Sequence, residues 1–237
     1  MPKERVLLKI SGETFGRPGR SYDREGPALI AGEIKSVTDT HELVIVTGGG
    51  NIVRGSELKK DFFRRNTMTA DWMGIMAVVM NAIALQDFLE HEYGLDTRVM
   101  SALEVNKVCE PYYPRKAISH LRKGRVVILA GGLGTPNFST DTTMVQRASE
   151  LGIGLTLKGT KVDGIYDKDP KKYEDAKLIR RLTHMGFLKR RLAVVDATAI
   201  TQAMNLGIEI RIFKLFQKDT EGNLKRALEG SIGSVIR

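Results

Sequence analysis

Leu43-Val44-Ile45-Val46-Thr47 runs into Gly48-Gly49-Gly50-Asn51, and Arg54 follows shortly after. An unbroken apolar run of this length is a strand covered on both faces, which is the habit of parallel sheets. Glycines at its end let the backbone turn and approach a neighbour closely. Bare N–H groups at a helix start, joined to a guanidinium fork, form an anion site. The chain contains neither G-x-x-x-x-G-K-[ST] nor G-x-G-x-x-G, so phosphate binding here belongs to another loop class.

Outward from this strand the same pattern repeats. Apolar, β-branched runs at 5–10, 96–100, 125–130, 154–158 and 208–213 alternate with helical patterns near 27–40, 67–93, 115–122, 141–151, 196–206 and 220–229. Strands alternating with helices predict an α/β fold, a mainly parallel sheet with helices on both faces. Ligands of such sheets bind beyond the carboxyl ends of the strands. Four loops fall there: Ser11-Gly12, Gly48-Gly49-Gly50, Gly131-Gly132-Leu133-Gly134-Thr135 and Gly159-Thr160-Lys161. The pattern at 67–93 is apolar on nearly all sides after Asp71, which predicts a central or interfacial helix.

Composition narrows the function classes. The chain has 237 residues, 42% of them hydrophobic, enough for one large domain or two small ones. Net charge is +9. The basic pairs Lys59-Lys60, Arg64-Arg65, Lys171-Lys172 and Arg180-Arg181 and the triplet Lys189-Arg190-Arg191 are dispersed, which favours anionic substrates over a nucleic-acid partner. No 7–15-residue apolar core follows the first charged residues, so no signal peptide is read. The apolar stretch 72–85 is read as too short for a bilayer. Cys109 is the only cysteine. The expectation is a soluble, cytoplasmic protein without membrane partners.

Several residues suit phosphate chemistry. Lys9 sits in an apolar strand where a lysine needs a partner or a ligand. Asp71, read as standing just before the apolar helix, can accept two hydroxyl hydrogen bonds, or simply favour a helix N-terminus. Ser139, Thr140 or Asp141 can cap the helix at 141–151. Asp163-Gly164 reads as a hairpin turn and Asp169-Pro170 as a stop. His41-Glu42 and His91-Glu92 lack the second histidine of a zinc motif, and no general base is evident.

Leu8-Lys9-Ile10-Ser11-Gly12-Glu13, the Gly48–Gly50 loop with Arg54-Gly55, Asp71-Trp72-Met73-Gly74, Ser139-Thr140-Asp141, the string from Lys158 to Gly164, Asp169-Pro170 and Val195-Asp196-Ala197 together resemble the amino-acid kinase family, on its bacterial-type uridylate kinase branch. The resemblance spans almost the whole chain. It implies a three-layer αβα sandwich forming a single domain over 1–237, with UMP on the half at about 1–150 and ATP on the half at about 151–237. It implies transfer of the γ-phosphoryl group of ATP to UMP, giving UDP in pyrimidine nucleotide synthesis, with Mg²⁺ carried by ATP. Carried over by motif, Lys9, Ile10, Ser11, Gly12, Gly50, Arg54, Thr160, Tyr166 and Asp169 would bind ATP. Gly49, Asp71, Leu133, Gly134, Thr135, Pro136, Asn137, Phe138, Ser139 and Thr140 would bind UMP. Lys9, Arg54, Asp141 and Asp196 would be the catalytic set, with no metal ligands. The family's usual hexamer, GTP activation near Arg98 and Arg125, and UTP inhibition come with the resemblance. The chain departs from the family pattern at Gly154, Leu133 and Asn137, and in the arginine-rich loop 14–26. The rival readings are a kinase of another small acceptor, a nucleotide binder without turnover, and a nucleic-acid binder.

Overall fold

The computed structural model describes residues 3–63, 65–170, 172–215 and 222–237. Met1-Pro2, Arg64 and Lys171 of the basic pairs, and the first two residues of the candidate helix 220–229 lie outside them. The chain runs β1 (Glu4–Ile10), a 3₁₀ turn (Gly12–Thr14), α1 (Glu25–Lys35), β2 (His41–Thr47), α2 (Gly55–Asp61), α3 (Thr67–Tyr93), β3 (Thr97–Ser101), β4 (Glu110–Pro111), α4 (Pro114–Arg122) and β5 (Val126–Ala130). It continues with α5 (Thr140–Glu150), β6 (Leu155–Thr160), β7 (Ile165–Tyr166), β8 (Leu178–Ile179), β9 (Arg181–Leu182), α6 (His184–Lys189), α7 (Ala197–Leu206), β10 (Glu209–Lys214), α8 (Asn223–Leu228) and β11 (Ser234–Ile236).

Nine strands form one sheet in the order β4-β3-β5-β2-β1-β6-β10-β11-β9. Every neighbouring pair is parallel except β10 with β11. The central strands bury both faces because side chains alternate across a strand. Val6, Leu8 and Ile10 of β1 face one core with Ile30 and Ile34 of α1, Leu85 and Leu89 of α3 and Leu224 of α8. Leu7 faces the other, with Leu121 of α4, Met144 and Val145 of α5 and Ile200 of α7. Each such aliphatic side chain contributes about 1.5–3 kcal/mol when fully buried. Lys9 shares the face of Leu7, and this alternation turns it toward α5.

The six longer strands and the six main helices lie where the sequence puts them, within a few residues. Four readings are corrected. Asp71 is not ahead of the apolar helix but inside α3. Gly159 and Thr160 are not loop but the end of β6, where they pair with Phe213 and Lys214 of β10. Asp163-Gly164 is not a hairpin turn. It is a bend between β6 and β7, which do not pair; β7 pairs with β8, and Gly164 is packed so closely on Ser234 that a Cβ would lie 2.4 Å from its Oγ. The fourth concerns membranes. The α3 helix has 27 residues with a mean hydropathy of 1.5 over its most apolar window, so by length and composition it could cross a bilayer. Its inner face is instead part of the protein core, through Val79, Ala82, Leu85 and Leu89.

Candidate active site

The carboxyl ends of β1, β2, β5 and β6 converge, and the loops leaving them interlock. Gly48 N–H donates to Ile10 O at 2.8 Å. Buried Asn81 of α3 donates to Gly48 O at 2.7 Å and exchanges hydrogen bonds with Asn51. The glycines divide in purpose. A Cβ on Gly12 would lie 2.6 Å from Gly50 N, and one on Gly49 would lie 2.8 Å from the Ala77 Cβ, so these two serve backbone packing. A Cβ on Gly50 would meet nothing within 4 Å, because Gly50 faces open space. The loop is also not at a helix start, as the sequence reading had it. A turn at 50–52 intervenes, and α2 begins only after Arg54, its N-cap residue.

Lys9 and Lys158 are partners in the β1–β6 register, so two lysines stand side by side on adjacent parallel strands. Asp141, buried in the first turn of α5, lies between them. Its Oδ2 accepts from Lys158 Nζ at 2.5 Å, and Lys158 also donates to Val194 O at 2.5 Å. Its Oδ1 has no hydrogen bond and lies 3.3 Å from Lys9 Nζ, a looser ion pair. Burial by itself would raise the Asp141 pKa, but the two ammonium groups outweigh it and hold the carboxyl below its usual range. Burial and the Lys9 charge push Lys158 down, against the pull of Asp141. Lys158 is thus committed on two sides, and Lys9 is the cation able to exchange the carboxylate for an incoming phosphate. The sequence reading assigned Lys158 no role. The signal was present: a lysine inside an apolar strand, the argument already applied to Lys9.

Ser139 caps α5, accepting from the N–H groups of Asp141 and Thr142. Its hydroxyl donates to Asp196, which caps α7 through Ala199 N–H at 2.8 Å and also accepts from Thr142 Oγ1 at 3.2 Å. Asp196 therefore ties two helix N-termini together at the cleft. On the opposite side Asp71 pairs with Lys59 at 2.8 Å and accepts from Asn137 N–H at 3.2 Å. Arg54 pairs with Glu13 at 2.7 Å, and Glu13 reaches Lys161 at 2.8 Å.

Besides a shallow cavity of about 960 Å³ between α5 and α7 that also touches Leu133 and Phe138, three cavities bear on the candidate residues. One of about 190 Å³ is lined by Gly49, Gly50, Asp71, Leu133, Thr135, Phe138 and Thr140. A second, of about 460 Å³, is lined by Gly50, Arg54, Glu13, Lys161 and the loop 16–21. A third, of about 430 Å³, contains Tyr166, Asp163, Lys214 and Arg226. Tyr166 lines this third cavity, where Asp163 accepts from its hydroxyl, but Thr160 and Asp169 do not. Thr160 Oγ1 is engaged with Val162 O and Phe213 O. Arg98 and Arg125 lie at the other, amino-terminal end of the sheet. There Arg125, then Arg98, hold Asp96 below its usual pKa, and His120 joins Arg125 to Glu110.

An α/β fold whose strand ends gather glycine turns, paired lysines and one buried carboxylate is a phosphate-handling enzyme scaffold. The family model of the amino acid kinase family matches residues 4–214, and the chain belongs to that family. Its relatives include a uridylate kinase of Mycobacterium sp. (strain KMS), 44% identical over 98% of this chain and 90% of the relative. The uridylate kinase of Wolinella succinogenes is 45% identical over 98% and 95%. The crystal structure of UMP kinase from Bacillus anthracis superposes with a TM-score of 0.92, at 32% identity, covering all of this chain and 97% of that one.

Proposed function

We propose that this chain is a uridylate kinase, transferring the γ-phosphoryl group of ATP to UMP to give ADP and UDP. One observation carries the reading: Gly50, the glycine open to space, lines both the smaller cavity with Asp71 and the larger one with Arg54 and Lys161. Acceptor and donor phosphates would meet there. The half at about 1–150 supplies the acceptor side, with Asp71 facing the ribose hydroxyls. The third cavity, with Tyr166, receives the donor nucleoside.

The acceptor's nucleophile is a phosphate oxygen with a second pKa near 6. It is ionised at neutral pH, so no side chain has to remove a proton. Catalysis reduces to in-line positioning and charge neutralisation, which Lys9, Arg54 and the glycine N–H groups provide. Among the described residues, no three His, Cys, Asp or Glu side chains gather as a metal site, and Asp141 is engaged by two lysines. This donor set fits Mg²⁺ that would arrive on the ATP phosphates and supply charge neutralisation there, with Asp141 and Asp196 as site carboxylates that would orient Lys9 or the metal-bound phosphates. A panel of nucleoside monophosphates assayed with Mg-ATP tests the function. UDP should form fastest; no UDP, with another acceptor preferred, overturns it and favours the sister-kinase reading. Replacing Asp71 by alanine should raise the KM for UMP about tenfold or more and that for ATP much less, read from initial rates with each substrate varied in turn.

The working protein is proposed to be a cytoplasmic homohexamer, activated by GTP through the Arg98–Arg125 end of the sheet and inhibited by UTP. Met68, Trp72, Met76 and Met80 recur every fourth residue along the exposed face of α3, an apolar stripe suited to self-association. Met76→Glu is expected to shift the assembly to smaller species in light scattering after gel filtration. An unchanged mass would remove α3 from the interface.

A further inference from the structure

The loop 16–21 is part of the donor cavity but of none of the roles above. Arg17 and Arg20 exchange backbone hydrogen bonds, 2.9 Å each way, across Pro18-Gly19. Proline followed by a glycine at φ +78° is a tight turn that only glycine closes without strain. The turn is anchored at both flanks. Phe15 is fully buried, and its carbonyl accepts from Asp23 N–H at 2.8 Å. Ser21 O accepts from Asn51 Nδ2 at 2.8 Å, which fastens the turn to the glycine loop.

The cavity so closed, about 460 Å³, is walled by four cations, Arg17, Arg20, Arg54 and Lys161, and one carboxylate, Glu13. Glu13 already bridges Arg54 and Lys161, and Arg17 is paired with Asp23 at 3.2 Å. Arg20 has no ion pair or side-chain hydrogen bond with a described residue. A rigid turn that presents an uncommitted guanidinium to a cavity with excess positive charge is built for a polyanion.

We infer that Arg20 is a donor-binding residue of this chain: it grips the polyphosphate of the donor nucleotide within the cavity that Gly50 and Arg54 also line. The inference rests on the donor reading of this cavity. No covalent step is assigned to Arg20; its contact supplies affinity for the triphosphate.

The test uses the full-length protein, wild type and the variants Arg20→Ala and Arg20→Lys, with MgATP, UMP and inorganic tripolyphosphate as a base-free probe. Arg20→Ala should raise the KM for MgATP about tenfold, the size expected for one lost charge-assisted contact. It should weaken competitive inhibition by tripolyphosphate to a similar extent. The KM for UMP and the melting temperature should stay as in the wild type, since the Arg20 side chain is exposed. Arg20→Lys keeps the charge without the fork, and should fall between. Wild-type KM for MgATP and wild-type tripolyphosphate inhibition in Arg20→Ala, with the parent enzyme active on UMP, would overturn the inference alone. An inactive parent that still binds tripolyphosphate through Arg20 would refute the kinase reading and uphold the site.

Discussion

Replacing Lys9 by alanine is expected to lower kcat by about 10²–10³-fold, the usual cost of removing one preorganised donor at the transition state. The KM for UMP should change little, because the cavity holding Asp71, Leu133 and Phe138 does not include Lys9. The structure explains why the effect should fall on kcat. Lys9 is buried on the α5 face of β1, and among the described residues its ammonium is held only by the loose 3.3 Å pair with Asp141. Arriving phosphate charge competes with that carboxylate for the ammonium, and does so best when charge is spread in the transferring group. Folding should survive the change, since Asp141 keeps Lys158 at 2.5 Å. Lys9→Met, which retains the apolar stem, should be equally slow and at least as stable. Steady-state kinetics with circular dichroism as a folding check would decide the matter. An alanine variant with wild-type kcat would remove Lys9 from the reaction.

How far the site was readable depends on what kind of physics makes each part. Lys9 stood out because a lysine amid Leu7, Leu8 and Ile10 contradicts its own strand. Lys158 carries the same signature between Leu157 and Gly159, yet its importance comes from register: only pairing of β1 with β6 sets it beside Lys9. Register is a tertiary property, and a single sequence does not display it. The capping role of Ser139 was legible, being local chemistry. Its bond to Asp196, 57 residues away, was not. The short strands β4, β7, β8 and β9, of two residues each, carry too little pattern to be seen before the sheet exists. Helix α3 could be bounded at both ends, but not which of its methionines face outward, because its apolar residues leave no polar side to break the symmetry.

The second large effect concerns stability. Asp141→Asn should destabilise the protein by about 3–5 kcal/mol, the cost of breaking a buried ion pair by removing one partner. The asparagine matches the aspartate in shape but leaves Lys9 and Lys158 facing each other on neighbouring strands, with no carboxylate between them. Like charges placed so are repulsive, and burial already lowers the Lys158 pKa. The pH dependence has a definite sign. In the wild type the folded pKa of Asp141 lies below its unfolded value of 3.8. Its contribution is therefore complete above that pH, and is lost as pH falls through the folded value. On the acid side, the gap between wild type and Asp141→Asn should accordingly begin to close only below pH 3.8. In the variant, the folded pKa of Lys158 should drop further below its unfolded 10.5, so stability should rise with pH between those two values. Adding Lys158→Met to Asp141→Asn should restore part of the loss, because the double variant no longer buries an uncompensated ammonium pair. Urea unfolding of the four forms across pH gives the cycle. A single variant within about 0.5 kcal/mol of the wild type would show that the lysines do not depend on Asp141 for their place in the core.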